Sequence, residues 1–159
     1  STVPAPEDFD GDGACDLCVY HPASGGWYVK SLQRGILALG SNWGWSAAMP
    51  APGDYDGDGR AEFGVFDPAS AAWYIRRLSG PILIGGDNWG WGETPPIPCD
   101  LNGDASTDLA VYHPATARWY ARNLAGDVLS AGANWGWSDT EPVIGQYQLN
   151  RVLNSGGGW

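Results

Sequence analysis

The sequence has no apolar run approaching the ~18 residues that a membrane-spanning helix requires, which excludes such a span. It is also poor in the long, unbranched residues that build helices. Positive charge is scarce: 8 Lys and Arg stand against 18 Asp and Glu, a formal net charge of -10, so no basic patch invites nucleic acid. Three cysteines do not fix the compartment, and an odd count leaves at least one thiol unpaired within the chain. The two histidines, His21 and His113, have no Ser or Cys beside them in a repeated arrangement and are matched by Asp67. They read as turn residues, and no enzyme is expected.

What is abundant is glycine (24), proline (12) and tryptophan (10) in 159 residues, the composition of a turn-rich all-β protein of one domain. The acidic residues are not scattered. Residues 54–62 read DYDGDGRAE, with side-chain oxygens at the first, third, fifth and ninth places (Asp54, Asp56, Asp58, Glu62) and the backbone carbonyl of Arg60 at the seventh. Like charges this close repel unless a cation intervenes. The spacing wraps oxygens around a hard ion of calcium size; zinc would ask for Cys or His, and magnesium for fewer carboxylates and more water. Gly57 and Gly59 supply the tight turns this requires.

The same loop occurs as DFDGDGACD from Asp8 and DLNGDASTD from Asp100, so loops begin at 8, 54 and 100 with no insertion or deletion between them. Eleven of the 18 acidic residues lie in these loops, and three bound calcium ions would bring the net charge from -10 to -4. An EF-hand is rejected, because its closing Glu at the twelfth place is here Val19, Val65 and Val111, and the loops run into short alternating segments that read as strands. The CxxC formed by Cys15 and Cys18 straddles a loop and the following strand. It reads as a buried small residue or an incidental disulfide rather than a redox or zinc motif. Cys99 occupies the place of Glu7 and Gly53.

Aligned on the loops, each repeat reads as a short strand (VPAP, MPAP, PPIP), the acidic loop, a strand (LCVY, FGVF, LAVY) and a Pro-containing turn. A strand beginning WYVK, WYIR or WYAR follows, then a Gly-containing turn and a strand ending in NWGW. Four strands per repeat make one propeller blade, with repeats at about 3–48, 49–94 and 95–141 and a degenerate partial fourth in 142–159. A β-trefoil is the alternative, since three repeats close it, but it gives no reason for acidic loops or a partial fourth copy.

GDYDGDGRAEFGVFDPASAAWYI, preceded by PAP and followed by WG, resembles the FG-GAP or VCBS type of repeat, the bacterial form of the integrin-α-like calcium-binding β-propeller blade. The resemblance spans about residues 3–141 and implies structural calcium, with adhesion or ligand recognition, including lectin activity, as the function. Carried over by position, the ligands are Asp8, Asp10, Asp12, Ala14 (carbonyl) and Asp16; Asp54, Asp56, Asp58, Arg60 (carbonyl) and Glu62; and Asp100, Asn102, Asp104, Ser106 (carbonyl) and Asp108. About three ions per chain are expected. The third is the weakest, because Asn102 removes a charge and Ala105 replaces Gly13 and Gly59 where a positive φ would cost about 1 kcal/mol. In the partial fourth repeat Gln146, Gln148 and Asn150 replace aspartates, and calcium is lost.

Three blades do not close a ring, which takes about four to eight. A homodimer giving six blades is expected, the partial fourth repeat latching onto the neighbour. Trp27, Trp73, Trp119 and the first Trp of each NWGW are expected to fill the wedges between blades. The second (Trp45, Trp91, Trp137), beside Asn42, Asn88 and Asn134, is the candidate for stacking on a sugar. These features describe a secreted or cell-surface binding module with glycans or a surface protein as partner. The alternative is a structural assembly module with no small ligand. A signal peptide, if there was one, has already been removed.

Overall fold

The computed structural model describes residues 1–142. Gln146, Gln148, Asn150 and any latch built from the fourth repeat lie outside them. Among the described residues there are eleven short strands and no helix, and hence no helix long and apolar enough to cross a membrane.

Each repeat builds its own antiparallel sheet from strands taken in chain order. Sheet 1 contains β1 (Val3–Pro4), β2 (Leu17–His21), β3 (Gly26–Ser31) and β4 (Gly35–Asn42); sheet 2 contains β5 (Met49–Pro50), β6 (Phe63–Asp67), β7 (Ala72–Arg76) and β8 (Ile82–Asn88). Sheet 3 has β9 (Leu109–His113), β10 (Arg118–Arg122) and β11 (Val128–Asn134). The fourth strand expected there is reduced to a single bridge, Pro96 to Val111. Pro95 and Pro96 both lack the N–H that a ladder needs. Among the described residues the strands form three separate sheets and close no barrel, which does not fit the β-trefoil alternative.

The sheets share register as well as order. Val19 faces Tyr28, Val65 faces Tyr74 and Val111 faces Tyr120, and the last strand pair of every sheet is bulged after the Trp of WY and again two residues on. Such bulges bend a strand and increase its twist. The strands end at Asn42, Asn88 and Asn134, three residues earlier than the expected ends at the close of NWGW, so WGW leaves the ladder.

The core lies between consecutive sheets. Trp27 of sheet 1 stacks on Phe63 of sheet 2 at 4.9 Å, and Phe9 packs on the same ring at 5.6 Å. Trp73, Ile75 and Tyr55 of sheet 2 pack in one cluster with Leu109 and Val111 of sheet 3. The far side of sheet 3 has only Ile97, Tyr112 and Ala117, with Trp119 half-buried against them.

Candidate functional site

The three acidic loops connect the first and second strands of their repeats and share one hydrogen-bond plan. The first carboxylate is caged by amides of its own loop: Asp8 accepts from Gly11 (2.7 Å) and Gly13 (2.7 Å), Asp54 from Asp58 (3.1 Å) and Gly59 (2.8 Å), and Asp100 from Gly103 (2.6 Å) and Ala105 (2.9 Å). The ninth accepts from the amide of the second residue, Phe9 to Asp16 (2.9 Å), Tyr55 to Glu62 (2.8 Å) and Leu101 to Asp108 (2.9 Å). The amides of Ala14, Arg60 and Ser106 donate to the fifth carboxylate at 2.8–3.0 Å, which holds the seventh residue against the cluster. Short polar side chains satisfying their own turn in this way explain why the Asp-Gly alternation folds locally.

Two loops gather their acidic groups. Asp54, Asp56, Asp58 and Glu62 offer oxygens all within 4.8 Å of one another, and so do Asp8, Asp10 and Asp16; Asp12 stands outside its group. Among the described residues the third loop forms no such group. There the Asn102 amide turns to Asp104 at 2.8 Å, and Ala105 takes the positive φ of 70° that its neighbours give to glycine.

Electrostatics follow this convergence. Burial and then the neighbouring Asp56, Asp54 and Asp58 charges push Glu62 up to about 7; burial and then Asp8 push Glu7 to about 7. Burial also raises Asp16, Asp54 and Asp108, whereas hydrogen bonds from Asn102 and Ser106 lower Asp104. Part of the charge is met by arginines that the motif did not reveal: Arg77 Nε donates to Asp56 at 2.7 Å and Nη2 lies 3.6 Å from Asp58, while Arg34 Nε lies 3.6 Å from Asp10. Even so, Asp10 Oδ2, Asp56 Oδ1 and Asp108 Oδ1 are buried with no hydrogen-bond partner. A buried carboxylate oxygen without a hydrogen bond is costly, and such an oxygen in each loop, met in the first only by the Arg34 ion pair, fits a hard divalent cation within an all-oxygen donor set. No family model, curated protein or solved structure matches this chain.

The aromatic candidates sit between sheets. Trp45 lies edge-on to Tyr74 at 5.0 Å and Trp91 edge-on to Tyr120 at 4.7 Å, leaving the indoles 37% and 39% exposed. The preceding Trp43 and Trp89 lie under Arg76 and Arg122 at 5.4 and 5.6 Å. Tyr74 and Arg76 alternate on one face of β7, so both indoles of an NWGW address the next sheet although they have left the strand. The repeated WY-x-Lys/Arg segment was the sequence signal for this partner surface. Gly44 makes the turn possible, since a Cβ there would collide with the Tyr20 hydroxyl, which donates to the Trp45 carbonyl at 2.8 Å.

Trp137 meets no such Tyr among the described residues, and Trp135, expected to pack like Trp43 and Trp89, is 80% exposed because among the described residues no sheet follows sheet 3. Asn42, Asn88 and Asn134 use their amide nitrogens to tie hairpin turns, donating to the carbonyls of Ser24, Ser70 and Thr116. His21 and His113 cap their turns through Ser24 Oγ (2.8 Å) and Thr116 Oγ1 (2.6 Å), as Asp67 does with Ser70 (2.6 Å). Cys15, Cys18 and Cys99 are free thiols, and Cys18 is buried among apolar residues.

Proposed function

We propose that this chain is a calcium-stabilised β-propeller binding module of FG-GAP or VCBS type that works outside the cell, binding carbohydrate or serving adhesion. The carrying observation is the partly exposed indole set against a tyrosine at two equivalent junctions, Trp45 with Tyr74 and Trp91 with Tyr120. A flat apolar ring with polar groups nearby suits the apolar face of a sugar. Calcium would be held by the carboxylates of the first two loops, and more weakly by the third. There it neutralises the clusters and fixes the loops, so that binding energy becomes folding energy.

A structural assembly module is the second reading, supported by the commitment of the Asn42 and Asn88 amides to turn carbonyls. A glycan array probed in millimolar calcium and again in chelator separates the two. Selective, calcium-dependent signals with loss on Trp45→Ala or Trp91→Ala support carbohydrate binding. A blank array from folded, calcium-loaded protein sinks that reading and leaves the structural one.

A further inference from the structure

The junction between consecutive sheets occurs twice in the chain, with the same backbone bond and the same aromatic and arginine pairings each time. The Asp8 carbonyl accepts from the Ala61 amide at 2.7 Å, and 46 residues on the Asp54 carbonyl accepts from Thr107 at 2.6 Å. Trp45 and Trp43 meet Tyr74 and Arg76; Trp91 and Trp89 meet Tyr120 and Arg122. A Cβ on Gly11 would touch Arg60, and one on Gly57 would touch Ser106.

Sheets 1 and 3 present the two unmatched halves of this junction. Leu17 is 57% exposed where its equivalents Phe63 and Leu109 are fully buried, and Leu101 is 49% exposed where Phe9 and Tyr55 are at 1%. Tyr28 and Lys30 lie beside an open apolar hollow of about 570 Å³ lined also by Leu17, Val29 and Leu39. Trp135 and Trp137 stand out from sheet 3. A Cβ on Gly103 would meet nothing, and the Cys15 amide and Asp100 carbonyl have no partner among the described residues. Each feature of one face answers a feature of the other, on the pattern the chain itself uses twice.

The cysteines fall into this pattern. The residue before each loop is Glu7, Gly53 or Cys99, and the eighth loop residue is Cys15, Ala61 or Thr107. Their backbones are equivalent: Gly53 bridges Glu62 as Cys99 bridges Asp108. A Cβ built on Gly53 lies 3.0 Å from the Thr107 Cβ across the junction. The corresponding pair at a junction between copies is Cys99 with Cys15 of the second copy. A disulfide needs a Cβ separation of about 3.5–4.5 Å, an opening of roughly half an ångström to one and a half.

We propose that two copies of this chain close head to tail into a six-sheet ring, and that Cys99 of each copy forms a disulfide with Cys15 of the other. Six sheets fall within the range of about four to eight that closes a propeller, and a head-to-tail contact repeated twice about a twofold leaves no open face. The oxidant is a small-molecule disulfide of the glutathione class. One protein thiolate attacks it and releases one thiol; the facing cysteine then attacks the mixed disulfide and releases the second. Two electrons pass to the reagent, and the two protons end on the released thiols. Cys18, buried on β2, takes no part, which accounts for the odd count. The inference rests on the equivalence of the junctions and not on what the ring binds.

Light scattering of the full 159-residue chain under reducing conditions should give twice its 16.9 kDa mass. Glutathione disulfide should then yield a covalent dimer on a non-reducing gel. Cys15→Ser alone and Cys99→Ser alone should each abolish the cross-link while keeping the doubled mass, and the two variants refolded together should restore it. Leu17→Asp should give a monomer. Val128→Asp should not, since Val128 is 56% exposed and its equivalent Ile82 is 57% exposed with sheet 1 already docked on sheet 2. A single-chain mass for the unaltered protein overturns the ring. A cross-link that survives in either single variant, or that the mixture does not restore, overturns the head-to-tail cysteine pairing.

Discussion

The second and third acidic loops share a backbone plan and differ in charge. Both cage their first carboxylate with loop amides, and both tie the ninth carboxylate to the second residue's amide. The second brings four acidic side chains within 4.8 Å of one another, at the cost of a Glu62 raised to about 7. The third replaces one Asp by Asn102, which donates to Asp104 and lowers its pKa. The backbone plan of such a loop is therefore shared whatever the charge, because the loop's own amides hold the first carboxylate and one oxygen each of the fifth and ninth. What differs is how many carboxylates converge, and one amide side chain lowers that number in the third loop although Asp108 Oδ1 stays buried without a hydrogen-bond partner.

Removing calcium altogether should have the largest effect. Two occupied sites at a hundredfold excess over their dissociation constants contribute about 5 kcal/mol, so chelator should lower the melting temperature by roughly 10 °C or more. An unchanged melt would remove the calcium reading from all three loops. Next in size is the contrast between Asp54→Ala and Asp100→Ala. Both lose the same amide cage, so the cage cost cancels and the difference isolates the ion. Asp54→Ala should cost about 2–3 kcal/mol more in calcium and lose one ion by calorimetry. Equal losses would break the comparison.

Asn102→Asp should sharpen it from the other side, raising the number of tightly bound ions from two to three at the price of lower stability in chelator. The smallest effect is expected for Ala105→Gly. Relief of the positive φ at Ala105 should stabilise the protein by about 1 kcal/mol, read as a small rise in melting temperature with or without calcium.

Much of the site was legible because it is local. The Asp-Gly alternation specifies loops whose hydrogen bonds run almost entirely within nine residues, and the positive φ at Ala105 could be expected from the glycines at the same place. The arginines at the loops were not legible. Arg77 reaches Asp56 from 21 residues away, and Arg34 reaches Asp10 from 24, at positions that do not correspond in the two repeats, so no repeated motif marks them. Nor was the role of the asparagines in NWGW. Their amides look available for a ligand in the sequence, but the hairpin turn that takes them up lies 18 residues earlier and is adjacent only once the sheet has formed.

The tryptophans divide along the same line. Alternation and spacing mark them as one repeated set, yet Trp43 and Trp89 are half-buried and Trp135 is bare. No property of the NWGW segment itself distinguishes them, since burial depends on whether another sheet stands in front. The sequence alone determined what is written within each repeat: strand order, turn positions and the oxygen-rich loops, all set by contacts among near neighbours in the chain. Only the tertiary structure decided which indoles are covered, which carboxylates converge and which backbone groups remain unpaired at the two outer faces, because each of these depends on surfaces that approach one another only when the sheets pack.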